Sequence, residues 1–260
     1  DLQSFPTRRS SDLAKYFHAA TPEDMRSLRF LMPAGIMVAA PIALVLLQPN
    51  LGMSVMMAAG GAAMLFLAGA PLIWFVGGIG AVVAAVPLIW SLMHDYQKRR
   101  VNTFLNPEDD PLGAGYNIIQ SKIALGSGGI GGKGFLNGTQ SHLNFLPEKQ
   151  TDFIFTLWAE EWGLVGGVAL IVLVGLILMY CAWIAFRSRH AFGRLLAFGL
   201  MINFSLYIFI NVAMVMGLIP VVGIPFPMVS YGGTSMLAAL VGFGLILSCS
   251  IHRDAKLPRM

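Results

Sequence analysis

The sequence predicts an all-α, polytopic membrane protein, and three observations lead to this prediction. Hydrophobic residues make up 56% of the chain and charged residues only 12%, whereas about 25% of an ordinary soluble domain is charged. Three long stretches contain no Asp, Glu, Lys or Arg, namely 30–93, 164–186 and 195–251. None of them shows the ~10-residue alternating segments of a membrane β-barrel. A bundle of transmembrane helices is therefore expected.

The uncharged stretches have room for about six spans, because one spanning helix needs about 20 residues. Gln48-Pro49-Asn50 and Gly69-Ala70-Pro71 break the first stretch, and the Pro/Gly-rich segment IPVVGIPFPMVSYGG breaks the last. The predicted spans are 31–48, 52–69, 72–93, 164–186, 195–217 and 233–251. Cys181 and Cys249 lie inside these spans, where we expect small buried hydrophobes rather than a disulfide.

The first residues differ abruptly in composition from the rest of the chain. SFPTRRSSDL, residues 4–13, resembles the translated read-through of a sequencing-library adapter. We therefore expect 1–13 to be non-native and the natural N-terminus to be missing, with a basic juxtamembrane arm as the alternative. Residues 14–29 are expected to be the end of a preceding helix and a cytoplasmic loop.

Basic residues next to the spans predict the orientation, because cytoplasmic flanks are rich in Lys and Arg. Such residues occur before the first span, between the fourth and fifth spans, and in the tail 253–260. Parity then places the roughly 70-residue segment 94–163 on the extracytoplasmic face, and its length suggests a function. The cluster Lys98-Arg99-Arg100 argues for the opposite orientation and is outweighed by the three other segments.

Two nucleotide-binding patterns in 94–163 are excluded by their context. Residues 126–131 fit G-x-G-x-x-G, but they come after an expected amphipathic helix at 117–125 and not after the strand of a βαβ unit. A P-loop fails because Ser127 replaces its first glycine and Gly134 replaces the Ser or Thr that binds magnesium. Two explanations stay open, a backbone that approaches a ligand or the membrane surface, and plain loop flexibility. The five histidines show no zinc-ligand spacing.

The stretch FLPEKQTDFIFTLWAEEWG, 145–163, concentrates acids at the entrance of a span. Thr151 or Asp152 could cap a helix. A helix that begins at Pro147-Glu148 would instead place Asp152 inside it, four residues from Glu148, as a carboxylate pair. Glu160 and Glu161 are expected to be structural, paired or at the membrane edge.

Four composite motifs occur in order: FLNPEDDPLGAGYNIIQSKIALGSGG, GKGFLNGTQS, FLPEKQTDFIFTLWAEEWGLVG and PFPMVSYGGTSML. Together they resemble the SEDS family (shape, elongation, division and sporulation) of bacterial membrane glycosyltransferases over 14–252. MHDYQKRRV and GKGFLNGTQS are more similar to the elongation member than to the division member. Family members have ten transmembrane helices and a large outer loop after the seventh. The resemblance therefore implies that the six spans correspond to the last six helices, with 94–163 as the catalytic loop.

The resemblance implies a peptidoglycan glycosyltransferase that polymerises lipid II, with Asp152 of the TDFIF motif as the catalytic residue. A base at this place can take the proton of the acceptor sugar's 4-hydroxyl. The candidate substrate-binding residues, some of them for the pyrophosphate, are Glu148, Lys122, Arg99, Arg100, Gln140 and Lys133. A divalent cation, Mg or Mn, is expected without identified ligands. The alternatives are a lipid II flippase or the division-type member of the family.

The implied partners are a class B penicillin-binding protein, elongation-machinery membrane proteins, lipid II, undecaprenyl-linked glycan and membrane lipids. No nucleic acid is expected, and the implied location is the bacterial inner membrane. Two features depart from the family. Asn50 replaces the aspartate of its QPDLGT motif, and the Glu/Lys motif of its fourth helix is not found. Whether the chain is active by itself is therefore an open question.

Overall fold

A computed structural model of the chain describes residues 5–21, 23–48, 50–109, 114–142 and 149–254. Within these residues it contains ten α-helices, two short 3₁₀ turns and no strand. The helices are α1 (Phe5–Phe17), α2 (Leu28–Leu47), α3 (Leu51–Leu67), α4 (Leu72–Leu92), α5 (Asp95–Leu105), α6 (Ala114–Gly128), α7 (Thr139–His142), α8 (Ile154–Arg187), α9 (Ala191–Val215) and α10 (Gly233–Ile251). The all-α prediction is confirmed.

Five of these helices, α2, α4, α8, α9 and α10, are long and apolar enough to cross a membrane. The apolar helix α3 is shorter, with 17 residues. Each of the six predicted spans thus coincides with one apolar helix, and the predicted breaks fall between helices. The prediction of a polytopic helical membrane protein is confirmed.

The chain folds into two compact units. The first is built from Asp1–Ser91, Leu178–Leu206 and Thr234–Met260, and the second from Leu92–Ile177 and Tyr207–Gly233. Helices α8 and α9 each contribute residues to both units.

In the first unit, α1 packs against α2 and α3. Its core combines these helices with parts of α8, α9 and α10, and it includes Leu13, Ala14, Phe17, Met64, Ile184, Leu196 and Ile246. Residues 5–13 thus form most of a packed helix, and their non-native origin stays a prediction. Asn50 caps α3, since its Oδ1 accepts a hydrogen bond from the Met53 amide at 3.2 Å. The amide keeps the capping function of an aspartate without its charge.

The second unit contains α5, α6, α7, the beginning of α8, the end of α9 and the connection 216–232. Helix α5 begins after His94, whose amide donates to the Gln97 side chain at 3.0 Å. The helix expected at 117–125 lies within α6.

Helix α8 is broken at Gly163, where the backbone leaves helical geometry (φ 67°, ψ −164°). The break interrupts the ladder, because the amides of Leu164 and Val165 would otherwise bond the carbonyls of Glu160 and Glu161. Those amides donate instead to the carbonyls of Gly129 and Ile130, at 2.9 and 3.1 Å. The two helix carbonyls accept instead from the amides of Lys133 and Gly134, at 3.1 and 3.0 Å. The glycine-rich segment thus makes four hydrogen bonds in place of the two that the break removes.

This exchange needs glycine on both sides of the contact. A Cβ atom at Gly128 would overlap with the carbonyl of Ala159, and one at Gly132 with the carbonyl of Glu161. A Cβ atom at Gly163 would overlap with the backbone of Gly132. The glycines therefore serve a close backbone approach to the protein's own helix. The expected approach to a ligand or the membrane surface stays a prediction.

We predict that Gly132→Ala destabilises the protein, because the position has φ +79° as well as the backbone overlap. The unfavourable φ alone costs about 1–3 kcal/mol. Thermal unfolding in detergent measures the effect. Gly175→Ala is the matched control, because nothing lies within 4 Å of a Cβ atom there. Equal midpoints for the two variants would contradict the prediction.

Candidate active site

Asp152 lies in the turn that precedes α8. Residues 149–153 form turns and α8 begins at Ile154. The carbonyl of Phe153 accepts the amide of Thr156 at 3.0 Å, so Phe153 occupies the cap position and Asp152 precedes it. A helix end of this polarity favours negative charge. The Asp152 side chain is half-buried beside the positive end of a helix.

Three consecutive carbonyls hold this turn. The carbonyl of Gln150 accepts the amide of Tyr231 at 2.8 Å. The carbonyl of Thr151 accepts the hydroxyl of Ser230. The carbonyl of Asp152 accepts the side-chain amide of Asn211 at 2.8 Å. Since all three donors come from the end of α9 or the connection 216–232, these elements fix the backbone that carries the carboxylate.

Asn211 and Ser230 are themselves fixed in place. Asn211 is fully buried, and its Nδ2 also donates to the carbonyl of Ile224 at 2.7 Å. The hydroxyl of Ser230 accepts the amide of Phe226 at 2.7 Å. Both side chains therefore link the connection 216–232 to the Asp152 turn.

The residues after Asp152 pack into the second unit. Phe153 and Phe155 are buried, and Phe155 stacks on Phe226 with ring centroids 6.3 Å apart. The hydroxyl of Ser121 on α6 donates to the carbonyl of Val215 at 2.8 Å. Because a hydroxyl has one hydrogen, Thr156 is the donor in its 2.8 Å contact with Ser121. Helices α6, α8 and α9 meet at this buried chain of hydrogen bonds.

The Asp152 carboxylate faces Gly223 in the connection. A Cβ atom at Gly223 would lie 3.2 Å from Oδ2 of Asp152, and the residue has φ +67°. Glycine therefore gives the connection a left-handed turn and leaves room beside the carboxylate.

Two of the predicted basic residues contact the same connection. The Lys122 side chain lies against Gly217, where a Cβ atom would overlap with it. Arg100 donates from Nη1 to the carbonyl of Val221 at 3.4 Å. Arg99 is exposed on α5. The structure thus brings Asp152, Lys122 and Arg100 to one stretch of the connection, 217–223.

Lys133 and Gln140 belong to a different group, centred on Glu160. Oε1 of this fully buried acid accepts Lys133 Nζ at 2.8 Å, the amide of Gln140 at 3.0 Å and the Thr139 hydroxyl at 3.2 Å. The Lys133 charge is therefore balanced within the protein, in agreement with a structural Glu160. Glu148 lies outside the described residues.

No group of three His, Cys, Asp or Glu side chains that could hold a metal ion occurs in the described part of the chain. The expected Mg or Mn stays a prediction.

Sequence reasoning missed Asn211 and Ser230, which touch the turn of Asp152. A signal for Asn211 was present, since a buried amide is expensive in a membrane span and is often functional. Ser230 lies in the PFPMVSYGG motif, but its partner Thr151 is 79 residues away. For neither residue does the local sequence spacing reveal its contact with the Asp152 turn.

Comparison with known proteins agrees with the fold and with the motifs. The sequence model of the FTSW_RODA_SPOVE family, described as a cell cycle protein, matches residues 11–255. Peptidoglycan glycosyltransferase MrdB of Escherichia coli K12 is 51% identical over 221 residues, which cover 84% of this chain and 59% of the relative. Stage V sporulation protein E of Bacillus subtilis is 36% identical and covered over 64% of its length. The chain therefore spans about three-fifths of the length of these relatives.

Two solved structures share the fold. A chain from a peptidoglycan synthase complex, described as coordinating polymerization and crosslinking, superposes with a TM-score of 0.77 at 30% identity. This chain covers 67% of it, and 94% of this chain is matched. Rod shape determining protein RodA of Thermus thermophilus gives a TM-score of 0.63 at 24% identity, over 94% of this chain and 62% of that one.

The fold and the site define the class of this protein: a multi-span helical membrane protein with a carboxylate held at the end of a span. The match to the family model then identifies the family. The chain belongs to the FtsW, RodA and SpoVE family, the SEDS family.

We predict that Asn211→Ala loosens the Asp152 turn, because it leaves the carbonyls of Asp152 and Ile224 without their donor. Each unsatisfied buried carbonyl costs about 1–3 kcal/mol. Hydrogen exchange of peptides that cover 150–157 and 226–232 should become faster. The exposed Asn102→Ala is the control, and equal exchange in both variants would show that Asn211 does not hold the turn.

We predict that Glu160→Gln destabilises the second unit, because the neutral amide still accepts hydrogen bonds but no longer balances Lys133. The cost should be about 1–3 kcal/mol, between the values for exposed and buried ion pairs, since Lys133 is partly exposed. Lys133→Met should recover part of this loss in the double variant. Chemical unfolding measures the cycle, with the exposed Glu108→Gln as control; strictly additive effects would argue against the ion pair.

Proposed function

We propose that this chain forms the catalytic part of a peptidoglycan glycosyltransferase that polymerises lipid II, with Asp152 as the general base. The observation that carries the proposal is the fixed position of Asp152. Its half-buried carboxylate stands on a turn tied through three consecutive carbonyls, and its nearest anchor Asn211 lies one turn before the end of α9. We infer that a substrate with a lipid tail presents its sugar beside these ends of α8 and α9.

In the proposed reaction, the Asp152 carboxylate takes the proton of the 4-hydroxyl of the acceptor sugar. The oxygen forms a bond to the anomeric carbon of the donor sugar, and the bond from that carbon to the pyrophosphate oxygen breaks. The undecaprenyl pyrophosphate leaves with the electron pair. A positioned base contributes about 10²- to 10⁴-fold to such a step.

Lys122 and Arg100 are the proposed partners of the leaving pyrophosphate. Both contact the connection 216–232 that also contacts Asp152, and a cation near developing negative charge stabilises the transition state. Lys133 is a weaker candidate, because Glu160 already balances its charge.

An elongation role is proposed over a division role. The chain is 51% identical to MrdB, and 38% and 41% identical to the probable FtsW glycosyltransferases of Trichlorobacter lovleyi and Thioalkalivibrio sp.. The likeness to a chain of a peptidoglycan synthase complex supports a crosslinking partner. We propose a class B penicillin-binding protein for it, beside other elongation-machinery proteins. The proposed location is the bacterial inner membrane, with 94–163 on the extracytoplasmic face.

We predict that Asp152→Asn lowers glycan polymerisation by about 10²-fold or more while it leaves the fold intact. The experiment uses a hybrid in which this chain replaces the matching segment of E. coli MrdB, so that the tested protein has the full length of the relative. Labelled lipid II and the partner transpeptidase are supplied, and polymer is measured on gels.

The matched control is Asp95→Asn, an exposed aspartate at the start of α5, which should retain activity. Equal polymer from the hybrid and its Asp152→Asn variant would contradict the catalytic assignment. Lipid II translocation without any polymer would favour the flippase.

A further inference from the structure

The glycine-rich loop 129–136 carries an apolar surface that the proposed reaction does not use. Four of its eight residues are glycine. Its large apolar side chains are all exposed: Ile130 by 74%, Phe135 by 68% and Leu136 by 58%. In a loop exposed to water, such a group of side chains would be an aggregation liability, so their exposure on one loop points to an interaction surface.

Hydrogen bonds set the level of this loop relative to the membrane. The carbonyls of Gly129 and Ile130 accept the amides of Leu164 and Val165. Leu164 and Val165 begin the uncharged part of α8, and each is 62% exposed. The backbone of the loop is therefore bonded to α8 at the place where the exposed apolar surface of this helix begins.

An aromatic pair marks the same level. Trp162 precedes the break, is 47% exposed and lies with its ring centroid 6.4 Å from that of Phe135. Tryptophan side chains concentrate at membrane–water interfaces, where the ring meets lipid and the N–H meets water. Phe135 thus continues the interfacial aromatic surface of α8 onto the loop.

The loop presents these side chains from a fixed base. Lys133 is tied to buried Glu160 through both its side chain and its backbone amide. Leu136 has φ 62°, a left-handed backbone conformation that is unfavourable for a bulky residue. A strained leucine that is kept exposed points to a function of its side chain outside the fold.

We propose that loop 129–136 is a membrane anchor, in which Ile130, Phe135 and Leu136 insert into the headgroup–acyl boundary of the leaflet that surrounds the start of α8. The occupant of this surface is the phospholipid bilayer, because the surface is continuous with the exposed apolar side of α8, a helix long and apolar enough to cross a membrane. Since the loop also bonds both sides of the break at Gly163, the anchor fixes the short helical segment 154–162, and with it the Asp152 turn, relative to the membrane surface. The anchor does not depend on the proposed reaction.

Depth-dependent fluorescence quenching tests the anchor without an activity measurement. Cys181 and Cys249 are replaced by Ala, and Phe135→Cys carries an environment-sensitive dye on the full chain in phosphatidylcholine nanodiscs. Ile130→Cys is the second site in case the first variant does not fold, and exposed Glu108→Cys is the aqueous reference. Lipids brominated at different acyl positions report the depth, and iodide reports access from water.

The expected result is a blue-shifted dye at 135 and 130, quenched by brominated lipid at about 5–10 Å below the headgroup boundary and protected from iodide. Iodide quenching equal to that at position 108, with no effect of brominated lipid, would overturn the proposal. A blue-shifted dye that neither quencher reaches would also overturn it, because a protein surface and not lipid would then cover the loop.

Discussion

The structure depends on one constraint, that backbone polar groups must find partners wherever a helix breaks or ends at the membrane boundary. At Gly163, the glycine-rich loop supplies two acceptors and two donors that replace the interrupted ladder of α8. At the turn before α8, the carbonyls of residues 150–152 receive donors from Tyr231, Ser230 and Asn211. In both places, segments distant in sequence supply partners for the backbone groups: backbone groups at Gly163, and one backbone amide and two side chains at the Asp152 turn. The irregular backbone is fixed at both places.

The Asp152 turn and the break at Gly163 lie at opposite ends of the short helical segment 154–162. One end carries the Asp152 turn, and the other end meets the glycine-rich loop. Glu160 lies within the segment and collects three donors from 133–140, so that the segment cannot turn freely. A general base gains from such rigidity, because proton transfer requires the acceptor oxygen within hydrogen-bond reach of the hydroxyl. Lys122 and Arg100 contact the connection 216–232, which also contacts the Asp152 turn. The proposed base and the proposed pyrophosphate ligands thus all contact the connection 216–232.

The sequence was sufficient for the features that depend on local composition. Uncharged runs and Pro/Gly breaks predicted the six apolar helices. The beginning of α8 was not predicted, because Glu160 and Glu161 interrupt the apolar run and the span was expected to start at Leu164. The partner of Lys133 was also missed, since Glu160 is 27 residues away and buried acids are paired by tertiary contacts that no local pattern encodes. Asn211 and Ser230 were missed for the same reason. The catalytic role of Asp152 and the roles of Glu148, Arg99 and Gln140 stay predictions.

The central claim is that the clamped Asp152 carboxylate receives the proton of the acceptor sugar. The most direct measurement is an electron cryomicroscopy structure of the hybrid enzyme with a non-reactive lipid II analogue as acceptor. The account predicts an Asp152 oxygen within about 2.6–3.2 Å of the acceptor 4-hydroxyl, with the carbonyls of 150–152 still bonded to their three donors. A 4-hydroxyl out of reach of Asp152 and bonded to another carboxylate would contradict it.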